Sequence, residues 1–117
     1  MVNKNYVPNR GDIIWLNFNP QSGHEQLGKR PAIVLSPKEY NKKTALGLFC
    51  PITSKIKQYP FEVKIKNKKI DGVILSDQVK NLDWKGRDAE FIIKATDEEL
   101  SEVIEKLSVL IFASETI

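Results

Sequence analysis

From Asp12 to Phe18 the chain reads Asp-Ile-Ile-Trp-Leu-Asn-Phe, a short β-type run rich in Ile, Trp and Phe. Gly11 before it and Pro20 after it are natural punctuation. Residues 32–35 form an unbroken apolar run of the buried-strand kind, closed by Ser36-Pro37. Residues 46–52 form another, in which Pro51 marks a bend or an edge. Phe61, Val63 and Ile65 alternate with Glu62, Lys64 and Lys66, which predicts a half-buried strand with one wet face. Residues 69–72 read as a turn. Residues 73–75, a short run near Val79 and residues 91–93 supply further strands, and residues 38–43 have room for a single helical turn.

The clearest helix comes last. Thr96 is a good N-cap, and Glu99 three residues on completes a capping box. Asp97 and Glu98 sit where the helix dipole favours negative charge. Leu100, Val103, Ile104, Leu107, Leu110 and Ile111 recur at the spacing of an apolar stripe, with Glu102 and Lys106 paired on another side. Five to seven short strands and one terminal amphipathic helix predict a mainly β (α+β) protein: a small, strongly bent barrel or sandwich with a helix packed on it. The chain's 117 residues fit one domain, 1–117, with no repeats or linkers.

Composition narrows the function classes. With 41% hydrophobic and 28% charged residues the chain is an ordinary globular protein. No apolar run is long enough to span a membrane, and residues 1–5 lead into no signal-type apolar segment, so a cytoplasmic protein without membrane partners is expected. Cys50 is the sole cysteine and His24 the sole histidine, which excludes an internal disulfide and a His/Cys metal cluster. The net charge of +3 conceals an asymmetry. Residues 1–95 hold 17 Lys/Arg against 9 Asp/Glu, whereas residues 96–117 hold Lys106 against six acidic residues. A basic body with an acidic terminal segment suggests that the body meets a polyanion while the segment faces away. Lysines are densest at Lys55, Lys57, Lys64, Lys66, Lys68 and Lys69, although a lysine-rich sheet edge that blocks aggregation would look the same.

Candidate chemistry concentrates in residues 19–30, an aperiodic stretch too long for a routine connection. His24, Glu25, Lys29 and Arg30 fall within seven residues. Arg30 stands where loop meets strand, and its planar fork of donors matches phosphate oxygens. Glu25 can accept a proton or orient Arg30, and His24 titrates near neutrality. Thr53 and Ser54, leaving a strand beside Lys55, offer two hydroxyls to a phosphate, although local backbone capping uses the same residues. Cys50 reads as a small buried hydrophobe and Trp15 as core. Trp84, flanked by Lys85 and Arg87, can stack on a base or serve as a core or interface Trp.

Four blocks, in order, carry a family resemblance: Arg10-Gly11-Asp12-Ile13-Ile14-Trp15; Gly23-His24-Glu25-Gln26-Leu27-Gly28-Lys29-Arg30-Pro31-Ala32-Ile33-Val34-Leu35-Ser36; Pro51-Ile52-Thr53-Ser54; and Asp71-Gly72-Val73-Ile74-Leu75-Ser76-Asp77-Gln78-Val79-Lys80. Together they resemble the MazF/PemK-type toxins of bacterial toxin–antitoxin pairs over nearly the whole chain. The resemblance implies a small SH3-like β-barrel acting as a homodimer. It implies metal-independent, sequence-specific cleavage of single-stranded RNA, chiefly mRNA, with no cofactor. It also implies an antitoxin partner with an acidic C-terminal segment, and DNA binding by the toxin–antitoxin complex. It places catalysis at Arg30 and Thr53, with Glu25 in the same loop. Asn17 replaces an acidic residue that some relatives carry. RNA contacts are expected from His24, Gln26, Lys29, Ser54, Lys55, Lys57, Gln78, Lys80, Trp84 and Arg87. The competing classes are a noncatalytic RNA-binding barrel and a gyrase-directed toxin on the same barrel type.

Overall fold

A computed structural model of the chain describes residues 5–18 and 28–113. Strands β1 (Asp12–Asn17), β2 (Lys29–Val34) and β3 (Gly47–Thr53) form its centre. They pair antiparallel, β1 with β2 from Ile13↔Ile33 to Asn17↔Lys29, and β2 with β3 through Ala32↔Pro51 and Val34↔Phe49. These runs lack hydrophobic–polar alternation because both faces are buried. Ile13, Ile33, Cys50 and Ile52 enter one core cluster, whereas Ile14, Leu16, Ala32, Val34 and Phe49 enter the other.

The far edge of β3 is divided between two neighbours. Its first half, Gly47 to Phe49, pairs with β6 (Lys80–Leu82), and Ile52 and Thr53 pair with β5 (Val73–Leu75). Pro51 falls at the changeover and is registered against Ala32 of β2 but against neither of these two neighbours. Strand β4 (Glu62–Lys64) adds to β5, and β7 (Glu90–Lys94) covers the other edge of β1. All these pairings are antiparallel, and β4 lies at one end of the strand order, as a lysine-bearing edge.

Residues 38–43, expected to make one turn, extend to helix α1 (Lys38–Thr44). Its Asn41 is fully buried and joins three segments. The Asn41 amide donates to the carbonyls of Pro8 (2.8 Å) and Ser36 (3.1 Å), and its backbone carbonyl accepts the Trp84 indole N–H at 3.0 Å.

Helix α2 (Asp97–Phe112) begins with the expected capping box. Thr96 Oγ1 accepts the Glu99 N–H at 3.0 Å, and Glu99 Oε1 accepts the Thr96 N–H at 2.9 Å. Glu99 also reaches outside the helix, because its Oε2 accepts the Lys66 N–H at 2.6 Å. Val103 is buried and Leu100 and Leu107 pack beside it. The apolar stripe is covered over less of its length than its spacing predicts. Ile104, Leu110 and Ile111 are exposed, and Phe112 is 82% exposed.

Candidate functional site

Arg30 and Thr53 come together through strand register. Continuing the Ala32↔Pro51 pairing by two residues sets Arg30 opposite Thr53, at adjacent ends of β2 and β3. Gly72 makes room beside them. Its φ is +131°, and a Cβ there would lie 2.2 Å from the Thr53 carbonyl oxygen. The β4–β5 turn approaches the end of β3 only because residue 72 has no side chain. The Thr53 hydroxyl accepts the Lys55 N–H at 3.1 Å, which fixes the first step of the chain away from β3.

Two open cavities meet at this pair. The larger, about 470 Å³, includes Trp15, Arg30, Thr53, Ser54, Lys55 and Lys69 in its wall. The smaller, about 220 Å³, includes Arg30, Thr53, Lys57, Tyr59, Glu62 and Gln78. Lys55 also borders both. Phe18 supports the cationic side: Arg30 Cζ lies 6.0 Å and Lys80 Nζ 5.8 Å from its ring centroid. Arg30, Lys55, Lys57, Lys69 and Lys80 have no ion-pair partner among the described residues.

Acidic groups around the smaller cavity are held in place. Both Glu62 carboxylate oxygens accept backbone N–H groups, from Lys57 and from Gln58, each at 2.9 Å. Tyr59 donates its hydroxyl to Asp77 Oδ1 at 2.6 Å, and that bond pushes the phenol up to about 12. Cys50, on the neighbouring core face, is buried, and burial together with nearby Asp77 pushes its thiol up to about 12. Cys50 is therefore an inert core thiol. Among the described residues no group of three His, Cys, Asp or Glu side chains is disposed to hold a metal ion.

The expected contact residues divide into distinct sets. Arg30, Thr53, Ser54, Lys55, Lys57 and Gln78 line the two cavities, and Lys80 lies beside Phe18. Lys29 is at the edge of this surface, 3.5 Å from Glu90. His24, Glu25 and Gln26 lie outside the described residues. One expectation needs correction. Trp84 is 6% exposed, packs in the second core cluster and directs its N–H to Asn41, so no face remains for a base. Arg87 is engaged internally. Its Nη1 donates to the carbonyls of Asn17 and Phe18, each at 3.1 Å, and its Nε pairs with Asp83 at 2.7 Å. Arg87 thus ties down the backbone at residues 17 and 18 while its side chain stays 18% exposed. The acidic helix is also less detached than its charge suggests, because Glu98 pairs with Lys66 at 3.9 Å.

Trp15 is half-buried and contributes to the larger cavity as well as the core, while Phe18, Tyr59, Glu62 and Lys69 are additional site neighbours. The alternation at residues 61–66 places Glu62 on a wet face, but nothing local to the sequence brings it into one cavity with Arg30.

An arginine and a hydroxyl on adjoining strands stand at two clefts of a small antiparallel β protein, beside lysines that have no ion-pair partner among the described residues. The chain belongs to the family of PemK-like, MazF-like toxins of type II toxin–antitoxin systems, whose model matches residues 9–111. It is 48% identical over 106 residues to the endoribonuclease toxin MazF of Escherichia coli strain K12, covering 91% of this chain and 96% of that protein. It also matches a crystal structure of MazF from Deinococcus radiodurans, with 49% identity, a TM-score of 0.83 and coverage of 92% of this chain and 98% of that chain. A MazE–MazF crystal structure from the same organism matches with 43% identity and a TM-score of 0.84, covering 94% of this chain and 100% of that chain.

Proposed function

We propose that the protein is a sequence-specific endoribonuclease that cuts single-stranded RNA, chiefly mRNA, and serves as the toxin of a toxin–antitoxin pair, arresting translation and growth. The observation that carries this reading is the placement of Arg30 opposite Thr53 where the two cavities meet. Family membership and the E. coli relative named an endoribonuclease support it independently.

RNA contains its own nucleophile. In the proposed reaction the 2′-oxygen forms a bond to phosphorus as the P–O5′ bond breaks. The 2′ proton passes to a base, and the departing 5′-oxygen takes up a proton. The products are a 2′,3′-cyclic phosphate and a 5′-hydroxyl end, and the step uses no metal or other cofactor. Arg30 and the Thr53 hydroxyl bind the nonbridging oxygens as negative charge accumulates there. Guanidinium stays protonated in proteins, so Arg30 acts by charge and hydrogen bonding rather than by giving up a proton. Glu25 is assigned as the base, with His24 as second choice. Ser54, Lys55, Lys57, Gln78, Lys80 and, at the margin, Lys29 and the loop residue Gln26 contact the RNA. DNA has no 2′-hydroxyl and is not cut by this route.

The same cationic surface suits an antitoxin with an acidic segment, which would compete with RNA. The solved relative in complex with MazE is consistent with such a partner. In this reading the chain is a single toxin domain that works as a cytoplasmic homodimer, and its antitoxin complex binds DNA. Among the described residues no helix is long and apolar enough to cross a membrane.

The test is incubation of the purified protein with mixed-sequence RNA in EDTA. Cleavage to 5′-hydroxyl ends is expected. A requirement for added Mg²⁺, or 5′-phosphate ends, would overturn the chemistry, and intact RNA would favour a noncatalytic RNA-binding barrel.

A further inference from the structure

We propose that the cavity of about 220 Å³ beside Arg30 and Thr53 is a nucleobase subsite that reads an exocyclic amino group on the carboxylate of Glu62. The proposal rests on the endoribonuclease reading and assigns Glu62 as a specificity-determining residue.

Position comes first. Arg30 and Thr53 both line this cavity, so the base of a nucleotide adjoining a phosphate held by them lies within reach of it. Size agrees: the volume is below the roughly 300–1,000 Å³ of pockets for drug-sized ligands, as suits a single heteroaromatic ring system. The lining supplies a base's other needs. Leu75 contributes an apolar surface, and the Tyr59 ring, tethered through its hydroxyl to Asp77, offers a face for stacking.

Glu62 decides the chemistry. A carboxylate reduces the affinity of a basic surface for a polyanion, yet Glu62 stands in this wall without an ion-pair partner among the described residues. Each oxygen accepts one backbone N–H and keeps capacity for another donor. Adenine, cytosine and guanine each present an exocyclic amino group to such an acceptor. Uracil presents carbonyl oxygens at the equivalent positions, which the carboxylate repels.

The reader is also preorganised. The Lys57 and Gln58 amides hold the carboxylate, and Gln58 adopts a left-handed φ of +60° in doing so. The Glu62 N–H bonds the Tyr59 carbonyl at 3.1 Å. From α2, Lys106 Nζ donates to the carbonyls of Pro60 (2.5 Å) and Glu62 (3.3 Å). A side chain fixed in advance loses little rotamer freedom when the base arrives.

The experiment uses the full chain and a short RNA with one mapped cut. At each position flanking the cut, adenosine is replaced by purine riboside, guanosine by inosine, or cytidine by its 4-deamino analogue. At one position next to the scissile phosphate, loss of the amino group should lower kcat/KM about tenfold or more, the scale of a base-specific hydrogen-bond set. In Glu62→Ala, which leaves no side-chain acceptor, the same deletion should cost no more than about twofold, whatever the variant's absolute rate. Because each protein is compared with itself on two substrates, a loosened loop in the variant does not imitate this result. Indifference of the native protein to amino deletion at every flanking position, uracil on both sides of the natural cut, or equal penalties in the two proteins would overturn the subsite while leaving the nuclease intact. Failure of the native protein to cut any RNA would overturn both readings.

Discussion

Arg30 lies across from Thr53 because β2 and β3 pair in a register that brings residues 23 positions apart in sequence to adjoining strand ends. The two side chains supply different things to a phosphate, a fixed positive fork and a neutral hydroxyl. Arg30→Ala should therefore lower the cleavage rate by at least about two orders of magnitude, the scale for removing one transition-state donor. Thr53→Val should also slow cleavage, and Thr53→Ser should restore most of it. Single-turnover rates at saturating protein, with circular dichroism as a check on folding, decide the matter. A folded Arg30→Ala variant with native rate would refute the site.

Trp84 should matter for stability and not for RNA. Trp84→Ala removes a large buried side chain and should cost about 3–5 kcal/mol. Trp84→Phe retains much of the burial but loses the bond to Asn41, at about 1 kcal/mol. RNA affinity of the folded Phe variant should stay within about twofold of native at fixed salt. A large loss of affinity without a loss of stability would restore Trp84 as a stacking residue.

Cys50 should resist alkylation. With its thiol pushed up to about 12 and no exposed surface, almost no thiolate forms near neutral pH. Maleimide labelling should be very slow in the native protein and rapid in denaturant. Labelling of the native protein at the rate of a free thiol would contradict the packing around β3.

The Tyr59–Asp77 bond sets a pH dependence with a definite sign. The folded phenol is raised from 10.0 to about 12, so the bond's contribution to stability is complete below pH 10 and declines as pH rises toward 12. Native protein should unfold at higher temperature than Tyr59→Phe at about pH 9, and the gap should narrow by about pH 11.5. A gap that widened with pH would reverse the assignment.

Thr96→Ala should destabilise by about 1 kcal/mol, the usual loss for an N-cap. Glu99→Ala should cost more, because the Glu99 carboxylate satisfies the amides of both Thr96 and Lys66. Denaturant melts of the two variants, read by helix ellipticity, test the order.

Much of the fold was visible in local pattern. The apolar runs of β1, β2 and β3, the alternation around β4 and the capping box of α2 each express a physical constraint that acts within a few residues. Trp84 differs for a non-local reason. A Trp among polar residues looks the same whether it faces solvent or turns inward, and only the packing around buried Asn41 sends it inward.

Sequence alone determined the β-rich class, the helix start, the uneven charge and, through family resemblance, the choice of Arg30 and Thr53. Tertiary structure decided which lysines share their surface. Lys55, Lys57 and Lys69 border the cavities, whereas Lys66 turns to the acidic helix. It also decided that Glu62, an unremarkable residue of an edge strand, lines the same cavity as Arg30. The division has a physical cause. Propensity, capping and alternation are set by neighbours in the chain, whereas a site is assembled from strand ends, and their meeting depends on the register and bending of the whole sheet.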